Sequence, residues 1–123
     1  MDRQGVFDQV TTHLLTQNAK SDDSSWDQTP MCLYRARKNL KCAIGGIIRD
    51  EFYKPELEGH GVDHPDVLRA VELSLGCKIV EQRDEDLLKE LQSVHDMHPV
   101  SKWHKTLSLL ASMMRLKFNP PKE

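Results

Sequence analysis

Residues Asp84 to Lys117 read DEDLLKELQSVHDMHPVSKWHKTLSLLASMMRLK, and they carry two helical patterns in succession. The first half of this stretch carries four apolar residues at helical spacing: Leu87, Leu88, Leu91 and Val94. This spacing predicts a helix over residues 84–97 that Pro99 ends. The second half predicts another helix over 100–117, with Trp103, Leu107 and Leu110 on its buried face. Two neighbouring amphipathic helices indicate a mainly α-helical core.

Two more helices are predicted outward from this stretch. Residues 2–19 carry apolar side chains on one helical face, with Asp2 as the N-cap. Residues 65–75 have proline in the first turn, and Asp63 or His64 precedes them as a candidate cap. Gly76 follows as a C-cap. These signals predict one helix before and one helix after a polar middle region.

The middle region predicts a small β-hairpin after the first helix. Residues 32–35 and 40–43 alternate in polarity around the turn-like residues 36–39. The fold class is therefore predominantly α, in the α+β sense, with about four helices and this hairpin. Residues 1–118 are predicted to form a single globular domain with a polar loop at 18–30, and residues 119–123 a disordered tail.

Composition narrows the class of protein. The 123 residues carry 17 Lys and Arg against 19 Asp and Glu, a net charge of −2. That balance argues against a strongly basic nucleic-acid-binding surface. No apolar signal segment follows Met1, and the apolar run over 42–48 is too short to span a bilayer. We therefore expect a cytoplasmic protein with reduced thiols and no membrane contact.

Charge is divided locally, which favours recognition of another macromolecule. Acidic residues in the polar loop, among them Asp22 and Asp23, precede a basic hairpin tip. Trp26 is a large aromatic residue within that polar loop. After the hairpin tip comes a loop in which two glycines flank His60. The predicted partner-binding residues are Trp26, Arg35, Arg37, Lys38, Lys41, Tyr53, His60 and His64.

Three cysteines and six histidines raise the question of metal binding or catalysis. His95 and His98 share a helix face, and His104 follows Pro99, but no CxxC or HExxH spacing is present. We expect no metal, no cofactor and no catalytic residue. The enzymatic alternative uses Cys42 as nucleophile, His95 as base and Asp96 beside it. Because neighbouring helical side chains point apart, Asp96 is expected not to orient His95.

A longer pattern runs through these segments. It comprises Cys32-Leu33-Tyr34-Arg35, Leu40-Lys41-Cys42-Ala43-Ile44-Gly45, Ile48, Asp50-Glu51, Tyr53, Leu57-Glu58-Gly59, Leu91-Gln92, His95-Asp96 and Trp103, after the opening helix from Val6-Phe7 to Leu14-Leu15 and Gln17-Asn18. The pattern resembles small uncharacterised proteins encoded in bacteriophage and prophage genomes, over about residues 5–116. In those proteins a third cysteine or small residue tends to follow the first glycine, where this chain has Gly46.

The resemblance implies a function in the host cell and no particular catalytic residue. Small phage proteins often bind a host protein and modulate it, and inhibition of a bacterial defence system is a common outcome. We therefore expect a non-enzymatic protein that binds a host macromolecule, most readily a protein. A small Cys/His enzyme or ligand-binding protein is one alternative. Nucleic-acid binding through the basic hairpin is the other, and it predicts a steep salt dependence.

Overall fold

A computed structural model describes residues 1–21 and 33–122. In these ranges the chain forms four α-helices: α1 (Arg3–Gln17), α2 (Pro65–Leu75), α3 (Gln82–Met97) and α4 (Trp103–Met114). Single 3-10 turns lie at Arg37–Asn39, Asp50–Phe52, Pro55–Leu57 and Val100–Lys102. Within the described residues, no helix is both long enough and apolar enough to cross a membrane.

The predicted helix ends are confirmed where a cap was named. Asp2 Oδ1 accepts a hydrogen bond from the backbone N–H of Gly5 at 3.0 Å, which satisfies a donor at the start of α1. His64 Nδ1 accepts from the N–H of Asp66 at 3.2 Å and caps α2. Gly76 ends α2 at φ 72°, where glycine carries no Cβ penalty.

The core lies between α1, α3 and α4, which contact one another pairwise. Trp103 and Phe7 are its two largest fully buried side chains. Leu91, Trp103, Leu107 and Leu110, which the helical spacing predicts to face the core, are buried. Val10, Leu14, Ile44, Ile47 and Val71 are buried with them. Leu68 is only partly buried, since it packs against the edge of the cluster. The amphipathic spacing of the helices therefore identified the core-facing positions.

The predicted β-hairpin is wrong for the residues that the structure describes. Between 33 and 43 the backbone forms one antiparallel bridge, Arg35 with Lys41, and no strand. Lys38 and Asn39 have φ of 59° and 63°, so the chain turns tightly there. The N–H groups of Tyr34 and Arg35 donate to the side chain of Glu58. Because the N–H of Tyr34 is already used, it cannot continue the ladder from the bridge to the next pair.

The glycine pair at 45–46 lets successive turns pack closely against two neighbours. The N–H of Gly46 donates to the carbonyl of Cys42 at 3.0 Å, and the segment then turns helically through Ile48. A Cβ on Gly45 would overlap the backbone carbonyl of Tyr34. A Cβ on Gly46 would lie 2.5 Å from the imidazole Cδ2 of His13. This close approach places Cys42 and Ile44 in the core beside α1.

Candidate functional site

Two irregular segments, 33–41 and 50–64, are joined through the carboxylate of Glu58. Its Oε1 accepts from the N–H of Tyr34 at 2.8 Å, and its Oε2 accepts from the N–H of Arg35 at 3.2 Å. The hydroxyl of Tyr53 donates to Oε2 at 2.7 Å. Burial, with Glu58 beside it, raises the pKa of Tyr53 to about 12, so this phenol remains a donor at neutral pH. The two segments therefore present one continuous surface.

Arg35 stabilises this surface from within. Its Nη1 lies 2.6 Å from Asp50 Oδ1, and its Nη2 donates to the carbonyl of Ile48 at 2.8 Å. The guanidinium carbon also lies 4.7 Å from the centre of the Tyr53 ring, within cation–π range. Arg35 and Tyr53 therefore form contacts within the protein, although both were predicted to bind a partner.

The exposed basic groups of the turn are Arg37 and Lys38. Within the described part of the chain, neither side chain forms an ion pair. Lys41 is half-buried, and its backbone is bound by α1: its N–H donates to Gln17 Oε1 at 3.0 Å and its carbonyl accepts from His13 Nε2 at 3.0 Å. Of the predicted basic tip, Arg37 and Lys38 are therefore the cations best placed to meet a partner.

His60 and His64 stack on each other in the 50–64 segment. Their ring centres are 4.1 Å apart with an angle of 27° between the planes. The backbone carbonyl of His60 accepts from the hydroxyl of Tyr34 at 2.6 Å, which ties the histidine loop to the 33–41 segment. His60 is exposed and His64 is partly so. We call Arg37, Lys38, His60 and His64 the recognition face.

A cleft of about 290 Å³ opens beside the recognition face. It is lined by Tyr34, Cys42, Gly59, His60, Gly61, Val62, Gln92 and Asp96. The cleft brings His60, one of the predicted partner-binding residues, together with Cys42 and Asp96, two residues of the enzymatic alternative. Its polar groups can orient a partner side chain by hydrogen bonding.

The thiol of Cys42 is neutral and buried. Its side chain is 0% exposed, and its Sγ accepts a hydrogen bond from the N–H of Gly45 at 3.3 Å. Burial raises the pKa of the Cys42 thiol to about 12. Because the thiolate is the nucleophile, a thiol with this pKa is inert at neutral pH.

His95 and Asp96 form a hydrogen-bonded pair, contrary to the expectation that their side chains point apart. Asp96 Oδ1 lies 2.7 Å from His95 Nδ1. The N–H of Ser21 donates to His95 Nε2 at 2.9 Å, which assigns the ring proton to Nδ1 and makes Asp96 its acceptor. The two side chains start about 100° apart around the helix, but Nδ1 lies close to the ring's attachment point, within reach of the neighbouring carboxylate.

This pair has a structural role. Both ring nitrogens of His95 are engaged, one by Ser21 and one by Asp96, so neither is available to deprotonate Cys42. Asp96 Oδ1 also accepts from Gln92 Nε2 at 2.9 Å, and Gln92 Oε1 accepts from the N–H of Ile44 at 3.1 Å. The network fixes α3 to the segment behind Cys42. The geometry therefore lacks the nucleophile–base contact that covalent catalysis needs.

The other histidines considered for metal binding lie apart. The carbonyl of His98 accepts from Trp103 Nε1 at 3.1 Å, and the ring of His104 packs edge-on against Phe118 with centres 4.9 Å apart. Over residues 1–21 and 33–122, no three His, Cys, Asp or Glu side chains converge in a way that could hold a metal ion.

Three residues that organise the site were missed by sequence reasoning: Glu58, Gln92 and Ser21. Each is a polar residue that binds a backbone N–H or an imidazole far away in sequence, and no local periodicity signals such a contact. Glu58 and Gln92 stood out only as positions of the longer pattern. Trp26 and Cys32 lie outside the described residues.

Comparisons with known proteins add no family to this geometry. No family model matches the chain, and searches of curated proteins and of solved structures likewise find no match.

Proposed function

We propose that this chain is a small, non-enzymatic, phage-type protein that binds a host protein in the bacterial cytoplasm and modulates it. The proposed outcome is inhibition of a bacterial defence system. The observation that carries the proposal is the polar cleft, which His60 lines and next to which His60 stacks on His64. The hydroxyl of Tyr34 ties this histidine loop to the 33–41 segment that bears the exposed cations Arg37 and Lys38.

Binding is favoured over catalysis by the state of the cleft groups. The Cys42 thiol is buried and neutral at physiological pH, and the imidazole of His95 is occupied at both nitrogens. The recognition face instead presents exposed charges on a backbone that hydrogen bonds hold in place. Charged groups placed in this way steer association and select a partner of complementary charge.

A protein partner is favoured over nucleic acid by the charges around the face. Asp50, Glu51 and Asp63 are exposed on the same 50–64 segment as the histidine loop. A continuous phosphate backbone would meet these carboxylates as well as the two cations, whereas an acidic protein patch of limited size would meet Arg37 and Lys38 alone. The surrounding charge therefore favours discrete recognition.

Reversing the charge of the recognition face is expected to abolish partner binding. The variant Arg37→Glu/Lys38→Glu should reduce recovery of the host partner by at least about tenfold, because two attractive contacts become repulsive. The measurement is affinity capture from host lysate with the tagged full chain, quantified by mass spectrometry. Efficiency of plating on strains that each carry one defence system then identifies the inhibited system.

The matched control is Lys102→Glu/Lys105→Glu, which makes the same change of charge at two exposed positions around the start of α4. It should retain the partner and the plating phenotype. Retention of the partner by the Arg37/Lys38 variant, or equal loss in both variants, contradicts the assignment of the recognition face.

A further inference from the structure

A second concave surface lies at the opposite end of α3 from the cleft. It has a volume of about 450 Å³ and is lined by Arg3, Arg83, Arg115, Met113, Met114 and Leu116. We call these six residues the arginine groove. Arg83 and Asp96 are thirteen positions apart on α3, which separates the groove from the cleft by about 20 Å. The groove is therefore a distinct surface from the recognition face.

One wall of the groove is held by a buried carboxylate. Asp84 is 1% exposed, and its Oδ1 lies 2.8 Å from Arg3 Nη1. Glu81 adds a second contact to the same nitrogen at 3.2 Å, and the Met1 amino group lies 3.4 Å from Asp84 Oδ2. The hydrogen bonds to Asp84 and Glu81 raise the pKa of Arg3. Arg3 is thus fixed in position and remains charged.

The facing wall is the chain that follows α4, and α1 holds it in place. The amide of Gln4 pairs with both backbone groups of Lys117, donating to the carbonyl at 2.9 Å and accepting from the N–H at 2.8 Å. Arg115 precedes this contact and ends α4 at φ 58°. The backbone around the groove is therefore defined before any partner arrives.

Two of the three arginines in the groove are available to bind a charged ligand. Arg83 and Arg115 are exposed, and across the described residues neither forms an ion pair. One carboxylate, Asp86, also lines the groove, and it accepts from Gln82 Nε2 at 2.9 Å. Guanidinium groups recognise carboxylates through paired hydrogen bonds, so these two arginines suit an acidic ligand.

Apolar surface continues from the groove along α4. Met113 is 74% exposed and Leu109, four residues earlier on the same helix face, is 56% exposed. Met114 and Leu116 are partly buried and pack against the core. Exposed methionine adapts to apolar side chains of varied shape, which is typical of surfaces that bind peptides.

We propose that the arginine groove docks an acidic, amphipathic segment of a protein partner. Its carboxylates would contact Arg83 and Arg115, and its apolar side chains would lie on Met113 and Leu109. Nucleic acid fits less well because the groove residues include no aromatic side chain for base stacking. The groove goes beyond the function proposed for the recognition face and does not depend on it.

The test is selection of random peptides by display on the full chain, followed by fluorescence anisotropy of the enriched peptides. We expect enriched peptides to combine Asp or Glu with apolar residues. Their affinity should fall at least about tenfold in Arg83→Glu/Arg115→Glu. It should recover only in part in Arg83→Lys/Arg115→Lys, which keeps the charge but not the paired hydrogen bonds. Met113→Ser should also weaken binding, since it removes the apolar contact.

The control is Arg37→Glu/Lys38→Glu, which should bind the peptides like the unmodified chain and so separates this groove from the recognition face. No enrichment, enrichment without acidic residues, or equal affinity in the Arg83/Arg115 reversal overturns the proposal. So does binding of phosphatidylserine vesicles or a single-stranded oligonucleotide through these arginines in place of acidic peptides. Self-association that the reversal abolishes, seen by light scattering, overturns it as well.

Discussion

Trp103→Ala is expected to lower the free energy of unfolding by about 4 kcal/mol. Trp103 is 0% exposed and is the largest fully buried side chain in the described core. Its indole Nε1 donates to the carbonyl of His98 at 3.1 Å, and its ring centre lies 5.5 Å from that of His95. Alanine would leave a cavity and remove the donor to His98. Urea denaturation followed by circular dichroism measures the loss.

Trp103→Phe separates packing from hydrogen bonding. Phenylalanine keeps most of the apolar contact with α1 and α3 but cannot donate to His98, so we expect a loss of about 1–2 kcal/mol. A domain of this kind has about 5–15 kcal/mol of total stability, so the alanine variant should remain foldable but weak. Equal denaturation midpoints for the alanine variant and the unmodified chain would contradict the packing described for Trp103.

Gly45→Ala is expected to cost about 3 kcal/mol, a large effect for one methyl group. The added Cβ would overlap the carbonyl of Tyr34, which is backbone and cannot rotate away. Relief requires the 33–41 segment to move, and that segment carries Arg37 and Lys38. We therefore expect the variant to lose partner binding along with stability, measured by thermal denaturation and by affinity capture.

Gly61→Ala is the matched control for this substitution. A Cβ there would meet only the side-chain Oδ1 of Asp63, at 2.9 Å, and an exposed side chain can move aside. We expect a change of less than about 0.5 kcal/mol. If Gly45→Ala and Gly61→Ala have the same melting temperature, the close approach of Gly45 to Tyr34 is not a determinant of the fold.

The helices could be predicted from sequence because each has its own periodic apolar face. Trp103, Leu107 and Leu110 identified α4, and the caps Asp2 and His64 identified the starts of α1 and α2. The fourth helix was predicted from residue 100, but a 3-10 turn occupies Val100–Lys102 first. Local pattern is sufficient where local burial decides the structure.

The irregular segments could not be predicted because distant side chains decide them. Alternating polarity over 32–43 predicted a hairpin, but Glu58 accepts from the N–H of Tyr34, which a longer strand ladder would need. Arg35 looked like surface charge in the sequence, and only Asp50 and the Tyr53 ring show why it turns inward. Such partners lie well outside any local window.

The candidate site was predicted in part. His60, His64, Cys42 and Asp96 were named from sequence, and the structure brings His60, Cys42 and Asp96 to one cleft. The chemistry of Cys42 could not be predicted, because its burial depends on the glycine turn and on α3. The pairing of His95 with Asp96 was missed because the prediction considered only the directions in which adjacent side chains leave a helix. The carboxylate of Asp96 nevertheless reaches the Nδ1 atom of His95.

The proposed function is binding without covalent chemistry at the cleft, and the pH dependence of Cys42 alkylation distinguishes binding from catalysis by this thiol. The full chain is treated with iodoacetamide across a series of pH values, and each cysteine is quantified by mass spectrometry, with the half-exposed Cys77 as internal reference. Because burial raises the pKa of Cys42 to about 12, we predict that Cys77 reacts at neutral pH while Cys42 remains unmodified until strongly alkaline conditions. Alkylation of Cys42 at neutral pH, faster than that of Cys77 and lost in His95→Ala, would show an activated nucleophile and contradict a purely binding function.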